Sequence, residues 1–195
     1  MNDPLMHLRQ VWDSYSPLTD DTWQQLQKGL SVKTIAKGTH LYAVDDTLSS
    51  FAFLHSGLMR AYMLDENGQE YNKNFFADGR FPGVMSSLLK AEPSMLGIEA
   101  IEASELIVID FAIFRQVLFN NNDLMKMHIL YLEKHWLKEK ELKEISYLQF
   151  EAKDRYLKFL TDFADVAERI PQYHIASYLG VTPTQLSRIK KTLKK

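Results

Sequence analysis

Cysteine is absent from all 195 residues, which removes disulfides, thiolate zinc sites, cysteine-held iron–sulfur clusters and thiol nucleophiles from the available chemistry. Long hydrophobic runs are also missing. The longest aliphatic stretch, LIVI at 106 to 109, is far short of the ~20 residues a membrane helix needs. The N-terminal MNDPLMHLRQVWDSY mixes acidic and basic residues into an amphipathic pattern instead of showing a signal-peptide layout. The expectation is a cytoplasmic protein with no membrane partner. No Gly-rich phosphate loop, HExxH or GxSxG is present. His40 and His55 stand alone, with no His-x-His, so a metal-dependent β-barrel enzyme of the cupin kind would lack its closely spaced ligands. No catalytic residue, metal site or cofactor is therefore assigned. A third scarcity is local: after Pro171 the chain has no acidic residue, although its formal net charge is −2.

What is present is an ordinary folding composition, 46% apolar and 25% charged, consistent with one large domain or a medium one plus a small one. Residues 4 to 15 and 19 to 29 read as two helices, the second capped by Thr19 with Asp20 and Asp21 in its first turn. From Leu30 to Asp110 the texture changes to short β-branched and aromatic runs. They are punctuated by Lys37-Gly38, Ser56-Gly57, DENG at 65 to 68 and ADGRFPG at 77 to 83, the spacing of a small antiparallel barrel or jelly roll. Asn67-Gly68 suggests a type I′ hairpin turn, and VMSSLLKAE a short helical interruption. Arg60 and Tyr62, two apart on the strand after Ser56-Gly57, share a face and are candidates for an effector pocket, although alternation makes an exposed face equally natural.

Beyond FAIFRQVLFNNN the pattern is helical for some 30 residues with two apolar faces. Leu124, His128, Tyr131, His135, Leu142 and Ile145 form one; Met125, Ile129, Leu132 and Trp136 form the other. The Trp136 face is expected to pack on the chain's own barrel and the Leu124 face to meet a second copy in heptad register. The alternative buries both within one subunit.

The charge divides along the chain. Residues 151 to 195 carry nine lysines and arginines against five acidic residues, net +4, which leaves −6 for residues 1 to 150. In PQYHIASYLG, Pro171 suits a first helical turn, Ile175, Ala176 and Leu179 share one face, and Gly180 suits the left-handed residue that ends a helix. Thr182 is then a good N-cap, Pro183 fits the first helical position, and Leu186, Ile189 and Leu193 continue a buried stripe. The opposite face shows Thr184, Arg188 and Lys191, with Gln185 and Ser187 beside them, residue types that contact base edges and phosphates. Arg188 has the planar fork for guanine, Gln185 the amide for adenine or phosphate, and Lys190, Lys191, Lys194 and Lys195 add sequence-independent attraction. The expected partner is double-stranded DNA; the alternatives are a small-ligand sensor or scaffold whose helical tail binds protein, and a solvated helical hairpin with a basic tail.

A β-rich domain, a long helix and a C-terminal helix-turn-helix, in that order, resemble the Crp–Fnr family of bacterial transcription regulators. The stretches that carry the resemblance are LHSGLMRAYMLDENGQEYNKNFFADGRFPG and IASYLGVTPTQLSRIKK. It implies an α+β chain: a cyclic-nucleotide-binding-like jelly roll over 1–120, a dimerisation helix over 121–150, and a helix-turn-helix domain over 151–195. It also implies a homodimer on an inverted repeat, with RNA polymerase as a further candidate partner. By the same resemblance Gly83, Val84, Ser94 and Met95 stand at effector positions. Two departures follow. In members that bind cyclic AMP the cassette glycine is followed by a glutamate and, further on, by an arginine with a small hydroxyl residue; here Val84 follows Gly83, and Ser94-Met95 stands where the arginine pair would fall. Cyclic AMP is not expected to bind tightly, because its phosphate would lack a charge partner. The chain also ends two residues past Leu193, so a full terminal β-hairpin wing is not expected.

Overall fold

In the computed structural model, which describes residues 3–141, 144 and 150–193, two helices precede the sheets as the caps predict. Helix α1 (Pro4–Asp13) begins at Asp3, whose carboxylate accepts the Leu5 N–H. Helix α2 (Asp20–Gln27) begins at Thr19, whose hydroxyl accepts the Thr22 N–H at 3.2 Å. Seven strands follow: β1 (Leu30–Ile35), β2 (His40–Tyr42), β3 (Ser50–Ser56), β4 (Met59–Leu64), β5 (Glu70–Phe76), β6 (Gly97–Ala100) and β7 (Ser104–Asp110). They form two antiparallel sheets, β1-β7-β3 and β2-β6-β4-β5. Helix α3 (Met85–Lys90) interrupts the run where the short helical stretch was expected.

The period of two explains why both faces of each sheet are covered. On β3, Ala52 and Leu54 point into the sandwich with Met59, Ala61, Ile98 and Leu106, while Phe51 and Phe53 point out to a helical layer containing Leu8, Trp12 and Phe114. That layer is made by α1, α2, α4 (Phe111–Asn120) and α5 (Asn122–Leu132). At the β4–β5 turn only Gly68 takes positive φ, +76°, and Asn67 does not. The turn is therefore not type I′. The Gly68 N–H donates to the Asp65 carbonyl at 3.0 Å and Asp65 pairs with Gln69, the pattern of a three-residue loop closed by a left-handed glycine.

The long helix corrects the sequence expectation about which face turns inward. Leu124 is fully buried, and Tyr131 stacks edge-on against Phe81 at 5.4 Å and Tyr15 at 5.6 Å. His128 lies against Phe114. These residues pack on their own subunit; of the other face Met125 also packs against the helical layer, while Ile129 and Trp136 are 49% and 45% exposed. Periodicity yields two stripes without ranking them; here the rings with polar tips find partners inside. After α5 the helix continues as a π-helical segment, Glu133–Lys138. The expected seam residues Leu142 and Ile145, and the basic Lys194 and Lys195, lie outside the described residues.

The C-terminal part comprises α6 (Ala152–Asp162), α7 (Gln172–Leu179) and α8 (Pro183–Leu193). A second apolar cluster joins Tyr156, Phe159, Ile170, Ile175, Leu179 and Leu186 to Leu58, Phe75 and Ile101 of the sandwich. The helices thus cover the outer face of the four-stranded sheet.

Candidate nucleic-acid interface

Helix α7 ends at Gly180, which takes the left-handed conformation with φ +66° and ψ +35°. An L side chain there would be strained, so glycine sets the turn. Val181 follows, its N–H donating to Ala176 O at 3.0 Å. Thr182 then caps α8 reciprocally: its hydroxyl accepts the Gln185 N–H at 3.2 Å, and Gln185 Oε1 accepts the Thr182 N–H at 2.9 Å. This is a capping box. Gln185 therefore spends its carbonyl oxygen on the helix start, so the expected adenine-type contact by its whole amide is not how the side chain is placed. The T-x-x-Q spacing of TPTQ is the sequence signal for this cap. Thr182→Ala should cost about 1 kcal/mol of stability, read as a lower denaturant midpoint with unchanged slope.

Leu186 is buried against α7, and Thr184, Ser187, Arg188 and Lys191 all stand exposed. They share the side of α8 that faces away from α7, and Arg188 makes no ion pair among the described residues. Lys190 is half-buried and reaches back to Gln172 Oε1 at 2.9 Å, so it braces the helix pair. Arg155 supports the turn from α6: it donates to the Phe150 and Leu179 carbonyls at 2.8 and 3.1 Å, a cation at the negative end of α7. The exposed side of α8 thus carries two cations, Arg188 and Lys191, beside two hydroxyls, Thr184 and Ser187.

The effector candidates are scattered. Gly83 lines a cleft of about 700 Å³ between the sandwich and the α5 side, together with Trp12, Phe81, Phe114, Tyr131 and Phe163. Val84 is instead packed in the sandwich core. Ser94 Oγ donates to the Leu96 carbonyl at 2.7 Å, closing its own loop, and Met95 is 76% exposed. Arg60 and Tyr62 lie on the outer sheet face, opposite Met59 and Ala61, and so point away from the cleft. Arg60 contacts Glu99, Glu70 and Asn72 and lies over the Tyr62 ring.

At the cleft rim a polar chain links three elements. His135 Nδ1 donates to Glu139 at 2.7 Å, since a carboxylate only accepts. Its Nε2 lies 2.7 Å from the Tyr15 hydroxyl, within hydrogen-bond distance. Arg80 donates to the other Glu139 oxygen at 3.0 Å. Burial alone would raise the Glu139 carboxyl, but the bonds from His135 and Arg80 bring it down to about 2. Burial pushes the Tyr131 phenol up to about 12. Among the described residues no three histidine, aspartate or glutamate side chains converge as a metal site, and no helix is long and apolar enough to cross a membrane.

Residues 32–121 match the family model of the cyclic nucleotide-binding domain, from β1 through α4. No curated protein matches the chain in sequence. The fold is similar to that of CLP, the c-di-GMP responsive global regulator of Xanthomonas campestris, at TM-score 0.68 and 17% identity over 90% of this chain and 92% of that one. It is similar to FixK2 from Bradyrhizobium japonicum at TM-score 0.70 and 20% identity, over 85% and 84% of the two chains. The Thermus thermophilus catabolite activator protein aligns at TM-score 0.56 and 19% identity, over 98% of this chain and 87% of that one. The chain thus contains a cyclic nucleotide-binding-type β-sandwich followed by helices, a fold it shares with these three proteins.

Proposed function

We propose that the protein is a sequence-specific DNA-binding transcriptional regulator that acts as a homodimer on an inverted repeat. Its parts are a jelly-roll sensor over residues 1–120, a linking helix over 121–150 and a helix-turn-helix over 151–195. The observation that carries this reading is the α7–α8 pair: a glycine turn, a capped second helix, a buried Leu186 and an exposed face of Thr184, Ser187, Arg188 and Lys191. Each part is needed to present one helix rigidly to a major groove, and two related by a two-fold axis enter successive grooves about 34 Å apart.

The second copy meets the outward face of α5 and the segment after it. Ile129 and Leu137 there are 49% and 57% exposed, apolar surface that association would dehydrate. Ile129→Glu should weaken dimerisation at least about tenfold in sedimentation equilibrium, since an unpaired charge would be buried at the seam. An unchanged dissociation constant would move the interface elsewhere.

Cyclic AMP is not the effector in this reading. The cassette offers packed Val84, a self-satisfied Ser94 and an exposed Met95 in place of a glutamate and an arginine. Calorimetric titration with cyclic AMP should give no saturable heat at micromolar concentration, and a saturable curve would overturn this. The aromatic cleft supports control by another small molecule, which would act by preferring one arrangement of the helices. The reading as a whole is tested by selecting bound fragments from random duplex DNA at moderate salt. Recovery of an inverted repeat supports it. Recovery of no motif by folded, dimeric protein contradicts it.

A further inference from the structure

The contact between the sandwich and α7 is built from a directed chain of hydrogen bonds. Arg60, 4% exposed, donates through Nε to Glu99 at 2.7 Å, reaches Glu70 at 2.6 Å and donates through Nη1 to Asn72 Oδ1 at 3.0 Å. A guanidinium has no acceptor, so Asn72 must turn its oxygen toward Arg60 and its Nδ2 toward α7. There Nδ2 donates to His174 Nδ1 and to the His174 carbonyl, both at 3.1 Å. An amide nitrogen cannot accept, so His174 Nδ1 carries a lone pair and its proton sits on Nε2. The Asn72 backbone N–H donates to Ser177 Oγ at 2.9 Å, and that hydroxyl donates to the Glu70 carbonyl at 3.1 Å. His174 and Ser177 are one helical turn apart, so one strand holds one face of α7 at two levels.

A β-bulge makes this possible. Ala61 pairs with Asn74 but Tyr62 pairs with Asn72, leaving Lys73 as the extra residue. The bulge resets the alternation, so Asn72 and Phe75 both face the helices despite an odd spacing. Phe75 supplies the apolar part of the contact, which is strong but poorly directional. The hydrogen-bonded chain supplies direction, and α8 follows α7 through buried Leu186 and the Lys190–Gln172 bond.

We propose that Asn72 and His174 are positioning residues that fix the angle at which α8 is presented, so that the four-stranded sheet sets the spacing between the two DNA half-sites. This rests on the DNA-binding reading above.

The test uses the full-length protein on duplexes with identical half-sites and spacers varied one base pair at a time. Wild type and His174→Gln, whose side-chain oxygen can still accept from Asn72, should share one preferred spacer. His174→Leu and Asn72→Ala should lose about tenfold in discrimination between spacers while keeping wild-type base preference within the half-site. An unchanged spacer profile in folded His174→Leu and Asn72→Ala would overturn the proposal, as would an equal loss on every duplex including single half-sites. If wild type itself recognises no inverted repeat, the DNA-binding reading fails, and amide hydrogen exchange decides the positioning role separately. Faster exchange confined to α7 and α8 in His174→Leu, restored in His174→Gln, supports it; unchanged exchange overturns it.

Discussion

Arg188→Ala is expected to lose about 1 to 3 kcal/mol of binding to the specific site and to relax preference at one base pair, with a much smaller loss on random duplex. The asymmetry follows from placement. Arg188 is exposed on the face of α8 turned away from α7, and no carboxylate among the described residues pairs with it. Its fork is therefore available for two acceptors at a guanine edge, a geometry that random sequence satisfies only by chance. Lys191 lies on the same face but offers a point charge, so Lys191→Ala should weaken all sequences alike and reduce the salt dependence of binding. Competition titrations on specific and random duplexes separate the two. Equal losses for Arg188→Ala on both would remove it from base reading.

Stability should fall as pH drops from about 6.5 to about 4, with His174 the principal cause. Burial first, then the nearby positive charge of Arg60, lowers its imidazole to about 4, although Glu99 and Glu70 pull the other way. The unfolded chain binds a proton near the ordinary histidine value of 6.5, whereas the folded one resists until about pH 4. Between those limits the unfolded state holds more protons, so acid favours unfolding, and the full effect is roughly 3 kcal/mol below the folded value. The chemistry agrees with the sign, because protonating Nδ1 would set two donors, its own N–H and that of Asn72, against each other. Denaturant midpoints measured across pH 7 to 4 should decline steeply in wild type and less in His174→Leu. Parallel declines would assign the acid sensitivity to another group.

The sequence carried its local structure well wherever a residue's own backbone preference decided the outcome. Thr19 and Thr182 cap the helices they precede, Gly180 turns the chain with positive φ, and the strands lie between the turn signals. Orientation was less legible, since it depends on partners distant in the chain. The two stripes of α5 were visible as stripes, but the inward one is chosen by Tyr15, Phe81 and Phe114, which periodicity does not connect to it. Alternation leaves Arg60 between a pocket and an exposed face; it is instead buried on the outer sheet face beside Asn72, which bonds α7 more than 100 residues later in the chain. Asn72 and His174 carry no motif at all. Their pairing rests on a bulge at Lys73 that shifts the register by one. Gln185 differs in kind, because the capping-box spacing was present in the sequence and competes with the base-reading role.

Hydroxyl-radical footprinting on the selected site tests the central claim most directly, that two copies present α8 to one duplex about one helical turn apart. The account predicts two protected patches related by a dyad, centred about 10 base pairs apart, both lost in Arg188→Ala at the lowest protein concentration that gives full wild-type protection. A single patch, or protection spread without phase along the duplex, would contradict it.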